Sequence, residues 1–164
     1  MDILIRLATV ADLETIREIY NYYVERSTCT FQIEPETEAA RFAWFRDRSP
    51  AYPVTVAESG GEVLGWASLS AWNSRCAYGR TVEASVYVRH DCHRRGIGRA
   101  LLLDLIGRAR ELGHHTILGG ACTEQAASLA LQESVGFEHA GCLREVGQKF
   151  GRWLDVAYMQ YLVR

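Results

Sequence analysis

The apolar positions change period along the chain, and the changes divide it into elements. Ile3–Ala8 alternates like a strand, with Thr9 or Asp12 as a cap behind it. Leu13, Ile16, Ile19, Tyr20 and Tyr23 then recur at helical spacing. Ser27–Thr37 reads as an ordered loop and Glu38–Arg48 as a second helix, with Phe42, Trp44 and Phe45 assigned to its core face. Strands over Tyr52–Ser59 and Glu62–Trp72 flank Gly60-Gly61, a hairpin signal. Thr81–Val88 is a further strand. Arg99–Gly113 is an amphipathic helix, with Leu101, Leu105, Ala109 and Leu112 on one stripe and Gly113 as its stop. Thr116–Thr123 reads as a strand and Gln125–Gly136 as a short helix, and Phe137–Gly147 with Trp153–Val163 closes the chain as a strand pair. The order β-α-α-β-β-β-α-β-α-β-β predicts a mixed α/β (α+β) sheet, antiparallel at both ends, with one βα crossover in the middle. No linker, repeat or low-complexity tract interrupts it, so residues 1–164 are expected to form a single domain.

Composition removes several classes of function. The chain is 48% hydrophobic and 23% charged with a net charge of -2, without the strongly basic balance that a nucleic-acid partner favours. No apolar run approaches the ~20 residues that span a bilayer, so no membrane association is expected. Cys29, Cys76, Cys92, Cys122 and Cys142 form no CxxC pair, and MDILIRLATV lacks a secretory leader pattern. The cysteines therefore read as reduced thiols of a cytoplasmic protein. Cys122 reads as a small buried apolar residue rather than a nucleophile. His114-His115 reads as a solvated turn, because adjacent histidines on an extended segment point apart; no metal is expected.

The segment HRRGIGRALL, His93–Leu102, carries the chemistry. A glycine turn at a helix start presents free N–H groups and the positive end of the helix dipole, an arrangement that binds phosphate. Arg94, Arg95 and Arg99 add charge. A plain glycine helix start with solvated arginines accounts for the same residues. The Walker pattern is absent, and the dinucleotide fingerprint fails where Leu101 stands in place of the third glycine. What remains is a pyrophosphate loop of another kind.

The longer segment VYVRHDCHRRGIGRALL resembles the acetyl-CoA signature Q/R-x-x-G-x-G/A of the GNAT superfamily of N-acetyltransferases. EIYNYYVERSTCTF, AYGRTVEASVYV, SLALQESVGF and VGQKFGRWLDVAYMQ extend the resemblance over nearly the whole chain. They are similar to the phosphinothricin/methionine sulfoximine branch of amino-acid N-acetyltransferases. The resemblance implies a mostly antiparallel central sheet flanked by helices and splayed at the strand ending at Val88. It implies that the backbone of Val86, Tyr87 and Val88 pairs with the pantetheine arm of acetyl-CoA, one N–H polarising the thioester carbonyl. Arg94, Arg95, Gly96, Ile97, Gly98 and Arg99 would hold the pyrophosphate, and Gln125 and Ser128 would add coenzyme contacts. Glu83 would be the catalytic base. Phe31, Arg75, Cys76, Ala77 and Tyr78 would line the acceptor pocket with Glu83, and Trp44 could wall it. Lys149 and Phe150 would sit near it, contributed across the interface of a homodimer.

The implied reaction is direct attack of the α-amine of a small amino acid or analogue on acetyl-CoA in a ternary complex. Methionine sulfone, methionine sulfoximine and phosphinothricin are the model acceptors. A lysine-like amine of pKa ~10.4 is neutral roughly once in 2,500 at pH 7, whereas a terminal amine near ~7.8 is neutral about a tenth of the time. The free α-amine lies between them, so a modest base suffices. Two departures stand out. His93 occupies the first position of the signature, and Gln125 and Gln132 stand where the branch often has asparagine and a histidine or tyrosine. A glutamine does not titrate and is a poor proton relay. Acetylation of a polyamine, an antibiotic or a protein N-terminus, and a non-catalytic acyl-CoA sensor, stay open as alternatives.

Overall fold

A computed structural model describes all 164 residues. In chain order the elements are β1 (Leu4–Leu7), α1 (Leu13–Arg26), α2 (Glu38–Arg46), β2 (Val54–Ser59), β3 (Glu62–Ala71), β4 (Thr81–Val88), α3 (Ile97–Glu111), β5 (Thr116–Cys122), α4 (Ala126–Ser134), β6 (Glu138–Lys149) and β7 (Arg152–Leu162). The seven strands form one sheet in the order β1-β2-β3-β4-β5-β7-β6. Every neighbouring pair is antiparallel except β4 and β5. The mixed sheet and the β4–α3–β5 crossover match the periodicity; a second crossover, β5–α4–β6, passes over β7 and was not expected.

Local chemistry sets the boundaries. Both candidate caps before α1 act together: Asp12 accepts the Thr9 N–H at 2.7 Å and pairs with Arg6 of β1. Thr37 Oγ1 caps α2 by accepting the Ala40 N–H. Gly60 and Gly61 turn the β2–β3 hairpin with φ of 59° and 83°, the left-handed pair a tight hairpin needs.

The two faces of the sheet are covered differently. Leu101, Leu102, Leu105 and Ala109 of α3 pack on Val82, Ile117 and Met159. Truncating the fully buried Leu101 to alanine would cost ~2–5 kcal/mol. On the other face Leu13, Ile16 and Ile19 of α1 meet Val54, Val56 and Trp66. No helix is long and apolar enough to cross a membrane.

Three expectations about individual side chains change. Leu112 lies just past the end of α3 and is exposed, so the buried stripe stops at Ala109. Phe42 is also exposed; the inward position of α2 belongs to Arg41, sandwiched by the rings of Tyr20, Trp44 and Trp66 and paired with Glu36. His114 is buried rather than solvated, with Nε2 2.7 Å from the Ala51 carbonyl and its ring stacked on Tyr52.

Candidate active site

The parallel pair β4–β5 parts almost as soon as it forms. Its register ends at Glu83 opposite Leu118, while β4 continues on β3 as far as Val88. The Thr81 carbonyl and the Arg89 N–H both turn toward β3. Strand alternation therefore turns the backbone of Ala84, Val86 and Val88 toward the opening. Tyr87 departs from the expected trio: its backbone faces β3, and its ring joins Tyr20 and Trp66.

The opening leads to the start of α3. Gly96 takes the left-handed φ of 79° as the N-cap, so the N–H groups of Ile97, Gly98 and Arg99 point out of the first turn. Arg94, at φ 60°, Arg95 and Arg99 are exposed, and none forms an ion pair within the chain. Ile97 differs from its neighbours in having its side chain fully buried, where it anchors the turn. His93 is used internally. Tyr23 donates its single hydroxyl proton to the Val88 carbonyl, so His93 Nε2, 2.6 Å away, donates to the Tyr23 oxygen. This trio ties α1 to the base of the loop.

Helix α4 closes the same opening. Gln132 is 7% exposed, and its Oε1 is buried without a hydrogen-bond partner. It covers Gly119, where even a Cβ would overlap the carboxamide. Ser128 lies one turn earlier on the same face of α4. Gln125 does not reach into the opening; its Nε2 donates to Thr28 Oγ1 at 2.9 Å.

On the α1–α2 face, Glu83 is half-buried, and burial raises its pKa above the ordinary carboxylate value. Tyr158 shares this face through its pairing with Gly120, and burial followed by the charge of Glu83 raises its pKa. Trp72 meets Tyr158 edge-on at 5.3 Å between centroids. Sequence reading missed Trp72 and Tyr158; the two-residue alternation of β7 was the signal for the second.

The expected acceptor-lining residues divide into two groups. Arg75, Cys76, Ala77 and Tyr78 form an exposed turn between β3 and β4, at the end of the sheet where β4 begins. Phe31 lies toward the other end, over Gly147 of β6. Phe150 is exposed at the tip of the β6–β7 hairpin. Lys149 departs from the sequence reading, for its ammonium is buried in its own chain and donates to the Ser27 and Thr30 carbonyls at 2.7 and 2.8 Å. Trp44 packs against Trp66 and under Arg41.

A strand cleft that ends at a helix start with free N–H groups and unpaired arginines, with a carboxylate on the α1–α2 face, suits a phosphate-tailed donor. Residues 5–158 match the family model described as "Acetyltransferase (GNAT) domain". The chain belongs to that family and is an N-acetyltransferase. It is 46% identical over 158 residues to the L-methionine sulfoximine/L-methionine sulfone acetyltransferase of Pseudomonas aeruginosa, covering 95% of this chain and 92% of that protein. It is 43% identical over 157 residues to the L-amino acid N-acyltransferase MnaT of Escherichia coli, covering 95% and 91%. The phosphinothricin acetyltransferase of Sinorhizobium meliloti, solved in complex with AcCoA, superposes with a TM-score of 0.95 at 37% identity, covering 99% of this chain and 89% of that one.

Proposed function

We propose that this chain transfers the acetyl group of acetyl-CoA to the α-amine of a small amino acid or amino-acid analogue. Methionine sulfone, methionine sulfoximine and phosphinothricin represent the acceptor class. The observation that carries the reading is the half-buried Glu83, which stands beside a strand cleft that leads to the unpaired arginines of the α3 start. The names of the P. aeruginosa, E. coli and S. meliloti relatives support the same class of acceptor.

The residues present fit the donor. The parted edge of β4 offers the peptide groups of Val86 and the N–H of Val88, whose carbonyl is taken by Tyr23; the α3 start offers N–H donors to a pyrophosphate, and Gln132 Oε1 lacks a partner. Acetyl-CoA, when bound, supplies an acyl carbon already activated as a thioester, so no nucleophilic side chain is needed. The protein has to bind, orient and move one proton. Glu83 takes that proton from the amine, directly or through a water, and its raised pKa brings its basicity closer to that of the amine. Gln132 does not titrate and so takes no proton; a thiol with a cysteine-like pKa of ~8.5 leaves without full protonation. Arg75, exposed and without an ion pair, is the available cation for an acceptor carboxylate, with Cys76, Ala77 and Tyr78 beside it; Phe31 and Phe150, toward the other end of the sheet, would approach the acceptor from there.

We take residues 1–164 as one acetyltransferase unit acting in the cytoplasm as a homodimer. Leu143, Val146, Phe150 and Trp153 form an exposed apolar strip on the hairpin at the β6 edge of the sheet, and a second copy would cover it.

Release of coenzyme A thiol against a panel of amino acids, methionine sulfone, methionine sulfoximine, phosphinothricin and polyamines tests the assignment. Turnover with the amino-acid analogues is expected. Activity confined to polyamines would overturn the acceptor class, and tight acetyl-CoA binding with no release would make the chain a sensor.

A further inference from the structure

The segment between α1 and α2 carries Phe31 across the open end of the sheet, and three sets of bonds hold it there. Thr28 Oγ1 donates to Glu124 Oε1 at 2.6 Å and accepts from Gln125 at the β5–α4 corner. Tyr20 of α1 holds Thr30 and Gln32. From below, Lys149 at the end of β6 donates to the Ser27 and Thr30 carbonyls. Lys149 is 5% exposed and forms no ion pair with any carboxylate, and burial lowers its pKa. A buried ammonium without a counter-charge is expensive. Here its compensation comes from two peptide carbonyls of one loop, with the face of Phe150 5.1 Å away. Phe31 then lies on Gly147, two residues before Lys149, where a Cβ would overlap its ring.

We propose that Lys149 is a positioning residue for amine recognition, acting through the loop that bears Phe31 and not by touching the acceptor. The proposal rests on the reading of Phe31 as a wall of the acceptor pocket. Two carbonyls three residues apart on one ammonium fix the curvature of Ser27–Thr30, and the bare backbone of Gly147 fixes the height of the Phe31 ring. One end of the hairpin thereby sets the depth of the pocket, while the coenzyme cradle at the start of α3 is built from other elements.

Steady-state kinetics on the full chain test the assignment. Lys149→Met is expected to raise KM for methionine sulfone roughly 10- to 100-fold, the scale of a lost charge-assisted hydrogen bond, with KM for acetyl-CoA changed less than about twofold. In a Phe31→Ala background the same substitution should add little, because both act on one wall. Gly147→Ala lifts the ring with the ammonium intact and should give the same split between the two KM values, which keeps the test open if Lys149→Met folds poorly. Equal rises in both KM values, an unchanged KM for the amine, or effects additive with Phe31→Ala would each overturn the proposal. If the unaltered chain acetylates no amine, the reading of its function falls. Amide exchange over Ser27–Phe31 then decides the pinning: faster exchange in Lys149→Met supports it and unchanged exchange overturns it.

Discussion

Glu83 bears a carboxylate whose pKa is shifted by burial alone. In the role proposed for Glu83 the ionised form is the base, so kcat/KM should fall as pH drops through its pKa, and burial moves that limb above the ordinary carboxylate range. Glu83→Gln should lower kcat by about 10²–10⁴-fold and remove the limb; a pH–rate profile that keeps it would take the role away. The same shift has a sign for stability. A carboxyl group with a raised folded pKa binds its proton more tightly when folded, so its ionisation opposes folding once pH rises above the unfolded value. Glu83→Gln should therefore melt no lower than the unaltered chain at neutral pH. A residue's place was legible where a motif named it, as at Gly96, which opens α3 with a left-handed φ. Orientation was not, because it depends on partners distant in the chain. Tyr87 faces β3, His114 finds the Ala51 carbonyl, and Lys149 finds Ser27 across 122 positions of sequence.

Among the elements, α3 and α4 frame the opening proposed for the coenzyme, and both depend on how they begin. Gly96 holds φ 79°, a conformation that strains any side chain by about 1–3 kcal/mol, although a Cβ there would meet no atom within 4 Å. Gly96→Ala should accordingly weaken acetyl-CoA binding through the shape of the turn, with little effect on KM for the amine; calorimetric titration against kinetics would show the difference. At the start of α4, Arg152 and then Thr28 hold the Glu124 carboxyl down to a pKa of about 2. A carboxylate depressed in the folded state contributes stability above its ordinary value of 4.5, and that contribution is lost as pH falls through about 2. The melting temperature of the unaltered chain should therefore fall more steeply across that window than that of Glu124→Gln. Periodicity located the helices and strands, most of which bury one face; β6, nearly all exposed, reads as the partner of the last strand. Periodicity missed the places where register shifts, such as the step between Leu143 and Gly147 in β6, since a bulge leaves no period to read.

At the scale of the whole molecule the sheet has one interior opening, at β4–β5, and one long free edge, at β6. The opening is the place proposed for the donor, and the splay itself was legible only by resemblance, because alternation in Thr81–Val88 does not reveal where a neighbour departs. The edge concerns assembly. β6 is twelve residues long and nearly all exposed. A long strand with free N–H and C=O groups beside apolar side chains invites pairing. At its bulge, Cys142, Leu143, Val146 and Trp153 line a notch with Arg144, Glu145 and Asp155 on its rim. Both signs of charge on one rim suit a two-fold contact, in which each arginine meets an acid of the other copy. Trp153, 60% exposed, is the largest apolar surface of the strip. Trp153→Lys should leave the monomer's fold intact, because the side chain is mostly exposed and belongs to neither buried cluster, and should place a buried unpaired charge in the paired form. Sedimentation equilibrium should then show two copies for the unaltered chain and one for the variant. Two copies in both would move the interface elsewhere. If Phe150 also closes the neighbour's pocket, the monomeric variant should lose amine affinity while its acetyl-CoA affinity holds.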